Sequence, residues 1–172
     1  MNVPDHDGPT TDSAAEFGLD PATAARIRET FAGMPVLGLI GAELLAAGPG
    51  RCRIGLSYRR DLTQQNGFLH AGIVSTLADT AGGLAARTLM PADKTVLAVE
   101  FKINLMSPAL GDRFEASARV VKAGRTLTIC EVDVFAERET DTVDKTGTAD
   151  KAGAARRHCA RMQQTCIAVD QH

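Results

Sequence analysis

One carboxylate stands alone in a long run of small and apolar residues. From Ile73 to Ala86 the chain reads Ile-Val-Ser-Thr-Leu-Ala-Asp-Thr-Ala-Gly-Gly-Leu-Ala-Ala, and Asp79 is its only charge before Arg87. Burying a carboxylate is unfavourable unless a partner holds it or a reaction uses it. Asp79 is therefore either an acid hydrogen-bonded at an interface or the working acid of a catalytic site. Just upstream lie an amide, Gln64, a turn, Asn66-Gly67, and a histidine, His70, nine residues before the acid. Asn66-Gly67 makes a good turn whatever the function. His70 is read as a helix cap or turn residue in preference to a proton carrier. Gln64 is either a loop amide or a contact to the reacting group.

The other chemistry-bearing residues form no comparable constellation. Cys52, Cys130, Cys159 and Cys166 have no CxxC spacing and are read as reduced thiols. His158, Cys159, Cys166 and His172 match no zinc-ligand spacing, so no metal is expected. Arg59, Arg60, Arg87 and Arg125 are read as solvated surface in preference to phosphate ligands.

The element that must hold Asp79 is a helix over about 70–88. Wound at about 100° per residue, it places Ile73, Val74, Leu77, Ala78, Ala81, Leu84 and Ala85 on one broad arc. Ser75, Thr76, Asp79, Thr80, Gly82, Gly83 and Ala86 take the other. That second arc lacks the Lys and Glu of a solvated face, which predicts a helix enclosed on nearly all sides. An earlier helix starts at Asp20-Pro21, with Asp20 as its N-cap, and runs to about Phe31. β-prone residues 37–47, the turn Gly48-Pro49-Gly50 and the alternation over 51–58 predict a hairpin. Three strands follow the long helix, over 95–106, 113–121 and 126–136. In the first, Leu97, Val99, Phe101, Ile103 and Leu105 make the apolar face. The pattern predicts an α+β domain in which an antiparallel sheet wraps round one long central helix. Residues 1–20 are expected to form a flexible tail. The domain is expected over 21–150, with a last strand near 142–149. Residues 151–172 show neither period and are expected to form a helical or disordered appendage.

A chain of 172 residues with 44% hydrophobic content suits one domain with a full core. A net charge of −2 and the absence of Trp argue against a nucleic-acid surface. No apolar run reaches the about 18 residues of a membrane span. The N-terminus lacks the basic start and apolar stretch of a signal peptide, so a cytoplasmic location is expected.

The pattern resembles the hotdog-fold acyl-CoA thioesterases, of the phenylacetate-pathway type and the related 4-hydroxybenzoyl-CoA thioesterases, over roughly residues 35–137. The resemblance is carried by the Asn66-Gly67 turn, the triplet His70-Ala71-Gly72 and Asp79 nine residues after the histidine. The strand end Asn104-Leu105-Met106-Ser107-Pro108-Ala109 and the hairpin at Gly124-Arg125 add to it. It implies a hotdog fold and hydrolysis of an acyl- or aryl-CoA to the free acid and coenzyme A, without a cofactor. Asp79 would act as general base for water or as nucleophile. The N–H of Ala71, where the family has Gly, would hold the oxyanion at the helix start. Gln64 would lie near the carbonyl or the water, with His70 beside it at the helix start and Asn66 and Gly72 against the substrate. Gly83 and Ala98 stand where some members carry a hydroxyl, and would line the site without one. The resemblance also implies a homodimer or a dimer of dimers, the acid of one protomer facing the helix start of the other. Gly82, Gly83 and Ala86 would suit that close packing. Two rival readings are a non-catalytic acyl-CoA binder, which the missing hydroxyls would suit, and a hotdog hydratase or dehydratase, against which the His-x-Gly motif argues.

Overall fold

The computed structural model describes residues 18–143 and 149–170, with side chains over 18–138 and 155–170. Most of the expected tail, residues 1–17, and residues 144–148 of the expected last strand lie outside the described residues. The chain opens with two helices, α1 (Pro21–Ala32) and α2 (Pro35–Ile40). Asp20 caps α1 as expected, accepting from the N–H groups of Ala22 and Thr23 at 3.1 and 3.0 Å. Helix α2 corrects the expectation of extended chain from residue 37. Pro35 presets its first turn, and Gly41 ends it in the left-handed conformation at φ 75°. Leu37 and Ile40 thereby reach the core.

Strands β1 (Ala42–Gly48) and β2 (Arg51–Ser57) form the expected hairpin. The long helix α3 (Ala71–Arg87) follows, then β3 (Lys94–Leu105), β4 (Arg113–Ala123), β5 (Leu127–Val143) and β6 (Ala149–Asp170). All paired strands are antiparallel, in one sheet ordered β1-β2-β4-β5-β6-β3. Helix α3 packs across it: Val74, Leu77, Ala81 and Leu84 join Ile54, Leu56, Phe114, Val132 and Met162 in one core. Each fully buried side chain of this size contributes roughly 1.5–3 kcal/mol, which is what holds the helix in the sheet. Arg26 of α1 closes the far end of α3, donating to the carbonyls of Arg87 and Met90 at 3.4 and 3.1 Å.

Two further expectations are corrected. The segment expected as an appendage from residue 151 is, through Asp170, part of β6, which lies between β5 and β3 in the sheet. Its buried row, Ala160, Met162, Gln164 and Cys166, alternates with exposed Arg161 and Gln163. A polar residue and small residues in that row disguise a period of two. In β3, a bulge between Ala98 and Glu100 breaks the register against β6. Ala98 stands opposite Cys166, and beyond the bulge Phe101, Ile103 and Leu105 stand opposite Gln164, Met162 and Ala160. Directly opposed residues share a face, so the extra residue reverses the phase. The expected single apolar face is therefore split between two faces, and on this edge strand Leu97, Val99, Phe101 and Leu105 all remain exposed, with Ile103 alone of the five partly buried.

Candidate active site

The loop before α3 is short and heavily bonded. The Gln64 N–H donates to the Phe68 carbonyl at 2.9 Å and the Gly67 N–H to the Gln64 carbonyl at 3.0 Å. Gly67 sits at φ 80°, a conformation that favours glycine. His70 then caps α3: its Nδ1 accepts from the Gly72 N–H at 2.9 Å, and its carbonyl accepts from Ile73 and Val74. The N–H of Ala71 is left without an intramolecular acceptor among the described residues. This is the positive end of a 17-residue helix.

Ala71 and Gln64 line a cavity of about 320 Å³ whose other walls are Phe68, Leu69, Val74, Leu105, Met106, Ser107, Pro108, Ala109 and Cys159. Most of its polar groups are engaged. Gln64 Oε1 accepts from the Asn66 N–H, which leaves Nε2 available. Ser107 Oγ donates to the His158 carbonyl at 2.7 Å. Cys159 Sγ donates to the Arg157 carbonyl at 3.4 Å. Burial pushes the Cys159 thiol up, which keeps it protonated and unreactive as a nucleophile. An apolar chamber with a free N–H at a helix start suits an acyl group whose carbonyl oxygen becomes negative during attack.

Asp79 lies elsewhere. Eight residues at 1.5 Å each put it about 12 Å along the helix from Ala71. It is partly buried. Burial pushes its carboxyl above the usual carboxylate range, and a hydrogen bond from Gln164 opposes that shift. Gln164 Nε2 donates to Asp79 Oδ1 at 2.5 Å and to the Asp79 carbonyl at 3.1 Å. Gln164 has no place among the expected site residues. The only signal for it in the sequence is one polar side chain in the buried row of β6.

The structure thus divides the expected residues between two places. Gln64, Asn66, His70, Ala71 and Gly72 gather at the helix start. Asp79 and Gly83 lie further along α3, and Ala98 sits on β3 opposite Cys166, the neighbour of Gln164 in the buried row. Gly83 has open space: an added Cβ would meet only Val96 Cγ1, at 3.9 Å. Gly72, Thr76, Asp79 and Gly83 keep some exposure and recur every three or four residues, so they form one stripe. Gly82 and Ala86, expected at a protomer contact, are instead buried against this chain's own sheet. Arg87, expected as solvated surface, is buried with Nη1 bonded to the Thr95 hydroxyl.

Comparison with known proteins agrees with this architecture. A family model described as the thioesterase superfamily matches residues 66–143. A putative esterase of Halobacterium salinarum is 31% identical over 145 residues, covering 81% of this chain and 95% of that protein. Human acyl-coenzyme A thioesterase 13 is 33% identical over 102 residues, covering 58% of this chain and 69% of that one. The crystal structure of a thioesterase family protein from Silicibacter pomeroyi superposes with a TM-score of 0.76 at 42% identity, covering 87% of this chain and 99% of that chain. On the sheet wrapped round α3, the motif at its start and these relatives, the chain belongs to the thioesterase superfamily and is a thioester hydrolase of the hotdog fold.

Proposed function

We propose that this chain hydrolyses acyl-CoA thioesters in a composite site, with the Ala71 N–H of one protomer facing Asp79 of a second copy. The observation that carries the proposal is the separation of about 12 Å along one helix. Neither end alone holds both an oxyanion donor and a base. The partly exposed stripe through Asp79 and the apolar edge of β3 offer the surface on which a second copy would bring the two ends together. The relative named acyl-coenzyme A thioesterase 13 supports a coenzyme A ester as the substrate. The apolar walls around Leu69, Val74 and Met106 suit its acyl group. Four buried free cysteines suit a reducing compartment, and we place the reaction in the cytoplasm.

In this scheme Asp79 takes a proton from water as the water oxygen attacks the thioester carbon. The carbonyl π electrons move to oxygen, where the Ala71 N–H and Gln64 Nε2 receive the charge. Collapse of the tetrahedral intermediate breaks the C–S bond. The thiolate leaves and recovers the proton from Asp79, giving the free acid and coenzyme A. A carboxyl raised by burial is better matched to this base step than an ordinary one. The test is thiol release over a panel of acyl- and aryl-CoA esters, with Asp79→Asn beside the wild type and sedimentation of both. Turnover on at least one ester, lost in a variant that keeps its oligomeric state, is the expected result. Undiminished turnover in Asp79→Asn overturns the site. Ester binding without turnover in the wild type would favour the non-catalytic binder instead.

A further inference from the structure

Gln164 is a buried amide that packing alone does not explain. It is 1% exposed, in a row otherwise filled by Ala160, Met162 and Cys166. Its Oε1 is buried and has no hydrogen-bond partner among the described residues. A buried acceptor left unpaired is unfavourable, so Met or Leu would fill this volume better. The opposing helix also gives way to it. A Cβ at position 82 would lie 2.0 Å from Gln164 Oε1 and 3.2 Å from Val132 Cγ2, and glycine stands there in mid-helix, where it weakens the helix. Both unfavourable features serve one contact: the Gln164 amide bonded to the Asp79 carboxylate and to the Asp79 carbonyl.

We propose that Gln164 is a positioning residue for Asp79, with Gly82 providing its space. The backbone carbonyl of Asp79 fixes where the amide sits, and the amide then fixes Oδ1. One carboxylate rotamer is selected, and Oδ2 is left to accept the proton from water. The inference rests on the reading of Asp79 as the base. The same contact affects protonation. A donor to the charged form counteracts the upward push of burial. Among the described residues the ionisable group that interacts with Asp79 is the Cys166 thiol of β6, and the Cys130 thiol of β5 lies against Cys166. Among the described residues no cation bonds the carboxylate.

The test compares Gln164→Met, Gly82→Ala, their combination and Asp79→Asn in steady-state thiol release across pH. Gln164→Met keeps the volume and removes the donor. Gly82→Ala leaves both polar side chains in the sequence but pushes the amide aside, while alanine favours the helix. In each of these two variants kcat is expected to fall about tenfold or more, with KM little changed. The acid limb of the kcat profile should move to higher pH, because the charge-stabilising donor is gone. The combined variant should be no worse than Gln164→Met. If Asp79→Asn is inactive while Gln164→Met and Gly82→Ala keep the wild-type kcat and acid limb, Gln164 is a packing residue and the inference fails with the Asp79 reading intact. If Asp79→Asn is fully active, the reading beneath fails. Should Gln164→Met not fold, Gly82→Ala decides alone, by the same two readouts.

Discussion

Replacing Ala71 by proline would delete one hydrogen-bond donor and leave the fold almost untouched. Proline at the first helical position has a suitable φ of about −65° and lacks the N–H. The Ala71 N–H contributes nothing to the helix ladder. A residue before proline must be extended, and His70 already sits at φ −63° and ψ 138°. The cap from His70 Nδ1 to the Gly72 N–H does not involve position 71. Stability should therefore be unchanged or raised by about 0.4–1 kcal/mol through the unfolded chain. Losing one oxyanion donor should lower turnover by about 10²–10³, equivalent to about 2.7–4 kcal/mol. Thiol-release kinetics on the best ester of the panel, with thermal unfolding and sedimentation alongside, would measure both effects. Ala71→Gly keeps the N–H and should retain most of the rate. Wild-type turnover in a folded Ala71→Pro variant would refute the assignment of the donor, since no N–H would remain there to stabilise the intermediate.

Asp79 should weigh on stability as well as serve catalysis. Burial raises its folded-state pKa above the unfolded value, so the folded state binds more protons and stability falls as pH rises through that interval. Asp79→Asn should melt above wild type at neutral pH, and the gap should close as pH falls towards the ordinary carboxylate value of 3.8; an equal gap at all pH values would contradict this. At the β3 edge, Leu97→Asp with Val99→Asp should yield monomers by sedimentation velocity, with native circular dichroism and no turnover. A fully active monomer would show that one protomer suffices.

The parts of this fold that are legible in the sequence have local causes. Asp20 and Pro21 start α1 with atoms two and three residues apart. His70 starts α3 by accepting from Gly72, two residues on. The 3.6-residue period of Leu77, Ala81 and Leu84 marks the face that the sheet covers. Helix α2 is less legible, because Leu37–Ile40 is apolar and short, and only Pro35 and the left-handed Gly41 turn it into a helix. The phase of β3 is hidden, since a bulge is a property of pairing: Ala98, itself exposed, shares a face with buried Cys166 only because the two stand opposite each other across the β3–β6 register.

By itself the sequence determines that one acid is enclosed within a long helix, that a free N–H can stand at that helix's start, and that a sheet must cover its apolar arc. Each follows from residue types and spacings within a few turns of chain. The tertiary structure alone decides that Ala149–Asp170 enters the sheet between β5 and β3, and that Gln164 meets Asp79 across 85 residues of sequence. It alone decides that Gly82 faces Gln164 and not a second protomer. The physical reason is that a strand with a mixed inner row is stabilised by its neighbours' hydrogen bonds and packing more than by its own pattern, and those neighbours are distant in sequence.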